Sequence, residues 1–318
     1  QLLYYEGNWR DIFQNWEALS ISYPLALESM LLNFVNNCTA DGYNPYRITR
    51  DGIDWEILEP NNGWSNIGYW NDHQIIYLLK FLEHLSRFNT NILINFLDKD
   101  IFSYANVPYE IKDFDQLVED PKLTINFDFK KNDKINHLVE AVGTDAKLIL
   151  TDSNQVYHVN LCEKILVIVL AKISNFVPGG GIWLNTERPE WNDANNALVG
   201  YGLSMVTVYY LRRFFVYFKS LLFELDKDNI AISNEVLDWF QGVYTALNKH
   251  RSIMDEKVIN PKNRMDIVKD LGTIYSEYRK QLYNDGFSGK SVVDKDTILS
   301  LINISIKYID HTISLNTD

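Results

Sequence analysis

Apolar residues recur at helical spacing along almost the whole chain, and this pattern limits the possible folds more than any other feature. In Pro24–Asn36 the stripe is Leu25, Leu27, Met30, Leu31, Phe34 and Val35. Pro24 suits a first helical turn, where its missing N–H is not needed. Asn71–Arg87 carries a second stripe, Ile75, Ile76, Leu78, Leu79, Leu82 and Leu85, behind a capping Asn71. The same spacing predicts helices over Asp11–Leu19, Thr90–Phe102, Val159–Phe176, Leu198–Leu225, Ser233–His250, Arg264–Asn284 and Asp294–Ser314. No apolar–polar alternation supports a main sheet. The chain therefore reads as all-α, with helices joined by short and long loops in a toroid of hairpins, a solenoid or a large bundle.

Three stretches interrupt the helices. Ala40–Tyr69 is a long loop punctuated by Gly42, Pro45, Gly52, Pro60 and Gly63. Loops of this length in compact domains are usually functional or disordered, and its Trp and Tyr content argues for order. Pro178–Asn195 is a second glycine-rich loop. Residues 104–156 carry clusters of Lys, Asp and Asn and read as an irregular insertion within one domain spanning 1–318. A short helix is expected there near Lys134–Val142, and a short strand at Leu123–Phe129. The chain opens on Gln1-Leu2-Leu3-Tyr4-Tyr5 and runs straight into a motif, so it is read as part of a larger domain and its ring of helices as incomplete. An open ring would expose apolar helix faces, which leaves the chain either marginally stable or able to associate as a homo-oligomer. The cellular address stays open, with the cytoplasm slightly favoured.

Charge and composition narrow the partners. The net charge is −12 and the 30 basic residues are dispersed, which disfavours nucleic acid or an anionic membrane. No apolar run reaches the ~18 residues of a membrane span. Cys38 and Cys162 form neither a disulfide framework nor a metal set, and each is expected as a buried thiol. The six His lack zinc spacing, so no metal is expected, and no Gly-x-Ser-x-Gly elbow supports serine chemistry. Seven of the eight Trp fall in three short segments: Trp9 and Trp16; Trp55, Trp64 and Trp70; Trp183 and Trp191. Indoles among Gly, Asn, Asp and Arg suit the flat C–H faces and hydroxyls of sugars. The alternative is that they pin large loops.

Three loop-to-helix junctions each combine Trp with Asp near a helix start. They are Gly7-Asn8-Trp9-Arg10-Asp11-Ile12-Phe13-Gln14-Asn15, Gly63-Trp64-Ser65-Asn66-Ile67-Gly68-Tyr69-Trp70-Asn71-Asp72-His73, and Arg188-Pro189-Glu190-Trp191-Asn192-Asp193-Ala194-Asn195-Asn196. Taken singly, each could be a capped helix start. Together they resemble the cellobiose and chitobiose phosphorylase family and the related phosphorylase domain of cyclic β-1,2-glucan synthases. Trp191-Asn192-Asp193 resembles the family's Trp-Asn-Asp-Gly-Met-Asn, and the first junction is similar to its Arg-Asp-x-x-Gln-Asp. Asn71-Asp72-His73 stands where the family has Asp-Asp. Asn15, Ala194 and Asn195 depart from the pattern. The resemblance implies a six-hairpin (α/α) toroid that cleaves a glycosidic bond with inversion. It makes Asp193 the general acid, lines the sugar pocket with Trp191, and has Arg10, Asp11 and Gln14 hold sugar hydroxyls. Their place in or beside these motifs adds Trp70, Asp72, His73, Arg188, Glu190 and Asn192 as candidate substrate-binding residues, with Glu190 as a hydroxyl binder and Arg10, Arg188 and His73 as cations for a phosphate.

The chemistry is consistent with those residue types. Cleaving an acetal needs a proton delivered to the leaving oxygen by a carboxylic acid of raised pKa, and an indole and a neighbouring carboxylate both raise one. Inversion then needs an attacker on the opposite ring face, either water activated by a second carboxylate or phosphate itself. Gly179-Gly180-Gly181 lacks the Lys-Ser/Thr of a P-loop. The expectation is thus an inverting glycoside phosphorylase or hydrolase acting on a β-linked oligosaccharide, with no cofactor and with inorganic phosphate as the candidate co-substrate. The alternatives are a non-catalytic carbohydrate-binding toroid and a helical scaffold for protein partners.

Overall fold

The computed structural model describes residues 7–45, 47–49, 52–59, 61, 68–71, 73–185 and 200–317. Among these, ten α-helices carry the fold. They are α1 (Trp9–Ser22), α2 (Leu27–Asn36), α3 (Gln74–Phe96), α4 (Phe114–Glu119), α5 (Phe129–Val142), α6 (Leu161–Ser174), α7 (Met205–Glu224), α8 (Asn234–Lys249), α9 (Pro261–Asp285) and α10 (Lys295–Leu315). The described strands are short and form sheets of only two or three strands.

Local chemistry sets the helix starts. Asn160, Ser204, Asn260 and Asp294 each accept a backbone N–H of the first turn, capping α6, α7, α9 and α10. Pro261 occupies the first turn of α9. The helices expected at 71–87 and 90–102 form one element, α3, with a non-helical Asn89 (φ −160°, ψ 91°) near the expected break. That helix stops at Phe96, because Ile101 and Phe102 turn their N–H groups to the carbonyl of Val159. Residues 200–204, expected to be helical, are not. Leu203–Ser204 instead pairs with Ile182–Trp183.

Every residue of α6 is buried. This helix packs against α3, α8 and α9, while α3 packs on α7, α7 on α10, and α10 on α8. Helices α1 and α2 both lie against α3. The 104–156 segment holds more regular structure than expected. Tyr109–Ile111 pairs with Ile125–Phe127, and α5 starts five residues before the predicted helix. Helix α4, missed from the sequence, has a capping box between Asp113 and Gln116. It docks on α9, where the N–H of Phe114 donates to Ser276 Oγ at 2.8 Å and Arg279 Nη2 donates to the Lys112 carbonyl at 2.9 Å.

Two adjacent ionisable groups lie on α6. Glu163 Oε1 accepts from Ser233 Oγ (2.7 Å) and the Tyr104 hydroxyl (3.0 Å), and Oε2 accepts from the Ser233 N–H (2.8 Å). Burial pushes its carboxyl up. Lys164 Nζ donates to the carbonyls of Ser103 (2.7 Å) and Cys38 (3.0 Å) and lies 3.7 Å from the Tyr104 ring centroid. Burial lowers this lysine to about 7. Cys38 and Cys162 are buried thiols, as expected.

A lysine with a depressed folded-state pKa holds its proton in the unfolded chain over a range where the folded chain has released it. Between pH 7 and 9, Lys164 should therefore make stability rise by about 1.4 kcal/mol per pH unit, and below pH 7 its effect should level off. Lys164→Met should lack this rise. Urea unfolding of both proteins at pH 7 and 9 measures the difference in slope, and parallel slopes would remove the lysine from this role.

Candidate functional site

The chain leaves α2 into a tight turn. The N–H of Thr39 donates to the Tyr43 carbonyl (2.9 Å), and Thr39 Oγ1 donates to the same oxygen (2.9 Å). Gly42 sits at φ +85° against α6, where a Cβ would lie 2.7 Å from Ala171 Cβ. Asp41 is the centre of the turn. Its Oδ1 accepts from Thr39 Oγ1 at 2.5 Å and from the Tyr69 hydroxyl, and its Oδ2 accepts from the Tyr283 hydroxyl at 2.7 Å. Two more hydroxyls of α9 hold the turn's backbone: Tyr278 donates to the Ala40 carbonyl (2.7 Å) and Tyr275 to that of Asp41. Burial first, and then the Asp41 charge, push the Tyr69 and Tyr283 hydroxyls well above the usual phenol range, so they stay protonated and keep donating.

The residues just after this turn reach the borders of all three junctions. The Tyr43 hydroxyl donates to Asn185 Oδ1 (2.9 Å), and Asn185 Nδ2 donates to Asn175 Oδ1 (2.7 Å). Asn44 pairs with Trp70 and Pro45 with Tyr69. Arg47 pairs with Asn8 and Ile48 with Gly7. Gly7–Asn8 leads directly into α1, Trp70 lies just before α3, and Asn185 precedes residues 186–199. The far border of 186–199 is tied back, since Gly200 N–H donates to the Leu184 carbonyl (3.3 Å) and Trp183 Nε1 to the Gly200 carbonyl (2.8 Å). Residues 43–45 and 47–48 are thus a hub on which segments far apart in sequence are gathered.

Several predicted site residues can be placed. Arg10 lies in the first turn of α1 and Trp70 in a short strand. Asp11 is half-buried on α1 and Gln14 is exposed on it. The Asn15 amide donates to the Asp11 carbonyl at 2.9 Å. His73 is buried at the cap of α3, its ring stacked 6.0 Å from that of Tyr77. Asp72, Arg188, Glu190, Trp191, Asn192 and Asp193 lie outside the described residues.

Two of the tryptophans expected at a sugar surface lie in the core instead. Trp9 is fully buried, edge-on to Trp16 and Phe34, and Trp55 is buried with its Nε1 donating to Asn132 Oδ1. These indoles anchor packing and do not form an exposed sugar platform. Sequence reasoning also missed Asp41, Tyr43 and Asn185. Asp41-Gly42-Tyr43-Asn44, inside a loop expected to be ordered, was the signal that could have found the first two.

Among the described residues, no group of three His, Cys, Asp or Glu is placed to hold a metal, and no helix is long and apolar enough to cross a membrane. No protein-family model matches the chain, and no curated protein gives a significant match.

Proposed function

We propose that this protein is an inverting carbohydrate-active enzyme that cleaves a β-linked oligosaccharide by phosphorolysis or hydrolysis. The single observation that carries this reading is the hub at residues 43–45 and 47–48. It holds the borders of three junctions whose residues resemble the acid and sugar-binding motifs of one glycoside phosphorylase family. A helical toroid suits the same reading. The packing of α3 on α7, α7 on α10, α10 on α8, α8 on α6 and α6 on α3 runs in a circuit.

In this reading Asp193 delivers the proton to the leaving oxygen. Arg10, Asp11, Gln14, Asp72 and His73 meet saccharide hydroxyls from two junctions, and Arg188, Glu190, Trp191 and Asn192 meet them from the third. Trp70 lines the same hollow. The attacking phosphate or water approaches the opposite face of the ring. The test is to incubate the protein with β-linked gluco-oligosaccharides, with and without phosphate, and identify the products. A sugar 1-phosphate formed only with phosphate marks a phosphorylase, and a reducing sugar of inverted configuration marks a hydrolase. Saccharide binding without either product would overturn the enzymatic reading in favour of a non-catalytic carbohydrate-binding protein.

A further inference from the structure

A cavity of about 580 Å³ opens beside the hub. Its walls come from the Asp41 turn, the 104–156 segment and the C-terminal end of α9. This is a size that holds a small organic ligand. Three features of the wall point to the kind of molecule that fits.

First, Lys130, Lys131 and Lys134 line one side, on the first two turns of α5. Among the described residues, no ion pair within 4.0 Å and no side-chain hydrogen bond involves any of the three ammonium groups. Lys131 is the deepest, and burial lowers its pKa despite the surrounding charges of Asp41, Glu110 and Asp128. Three ammonium groups along one wall of a concave, partly desolvated site make a positive surface that favours an anionic group there.

Second, the wall carboxylates Asp41, Glu110 and Asp128 act on Lys131 by their charge, and none of them forms an ion pair with it within 4.0 Å. Asp128 Oδ1 accepts the Lys131 backbone N–H at 3.0 Å as the cap of α5. Burial, followed by the charge of Asp128, pushes the pKa of the Glu110 carboxyl up, and Lys131 partly opposes this.

Third, Asp41 accepts three hydrogen bonds, from Thr39, Tyr69 and Tyr283. A carboxylate offers about four acceptor positions, so one remains on this cavity-lining residue.

We propose that this cavity is a binding site for an anionic saccharide, a sugar acid or sugar phosphate of one or two rings, whose anionic group pairs with Lys131 and whose hydroxyl donates to Asp41. The saccharide class rests on the function proposed above, whereas the anion-binding role rests on Lys131 and its neighbours alone. Tyr43 and Asn185, which tie the hub to the third junction, are not among the described residues that line the cavity, so mutations can address the two separately.

The experiment is calorimetric titration of the full chain with glucuronate and with glucose 6-phosphate, and with glucose as the neutral control. At least one anion should bind, and glucose at least tenfold more weakly. Lys131→Met should weaken the anion by about tenfold or more, as expected on removing a charge-assisted hydrogen bond, whereas Lys131→Arg should restore most of it. Asp193→Asn should leave this binding unchanged. Should Lys131→Met fail to fold, a Lys130→Ser, Lys134→Ser double variant at two exposed wall positions serves instead, with weaker but measurable loss. Equal binding of glucose and the anions overturns the proposal. So does binding of neither anion, or anion binding that survives the lysine variants.

Discussion

Replacing Asp193 with Asn is expected to lower oligosaccharide turnover by about 10³-fold, the typical contribution of a positioned general acid. The amide keeps the size and most of the hydrogen-bonding capacity of the carboxyl group but has no acidic proton for the leaving oxygen. Saccharide affinity should therefore be nearly unchanged, and the loss should appear in kcat. The pH profile supplies an independent check. The limb set by the acid should vanish in the variant, because no group at that position titrates. Undiminished turnover would move the proton donor elsewhere in the chain.

A large loss of stability is expected from Gly42→Ala. At φ +85° an L-residue suffers left-handed strain of roughly 1–2 kcal/mol, and the new methyl would lie 2.7 Å from Ala171 Cβ on a helix that is buried on every side. Forcing an extra carbon into a packed core adds about 1–3 kcal/mol, so a total near ~3 kcal/mol is expected. Gly52→Ala is the matched control. It has φ +105° but nothing within 4 Å of a Cβ, so it should show the backbone strain alone. Because Gly42 lies between Asp41 and Tyr43, its displacement should also disturb the Asn185 contact and weaken saccharide binding. Urea denaturation measures the first effect and calorimetry the second. Equal stability losses at positions 42 and 52 would contradict the close packing of the turn on α6.

The helices were legible because their apolar stripes follow a single period, and α6 through its run from Ile165 to Ala171. Their ends were less so. Whether α3 continues past Phe96, or α7 begins before Met205, is decided by backbone pairing with Val159 and Trp183, and no local pattern records such partners. The same holds for the site. Trp9 and Arg10 are neighbours in a motif, and sequence does not tell that the indole turns into the core against Phe34. The Asp41 turn was visible as an Asp-Gly-Tyr run, but its importance comes from hydroxyls of Tyr275, Tyr278 and Tyr283, far along the chain on α9. Lys164 and Glu163 were invisible for the opposite reason. An ionisable pair inside an apolar helix looks like a solvated edge until burial is known.

Everything proposed for catalysis depends on the hub drawing the three junctions around one saccharide. A crystal structure of the Asp193→Asn protein with a bound β-linked oligosaccharide measures this most directly. The glycosidic oxygen should lie about 2.6–3.2 Å from the side chain at position 193, with Arg10 and Asp72 touching the same saccharide. Side chains at 10, 72 and 193 facing separate surfaces, with the sugar bound elsewhere, would contradict it.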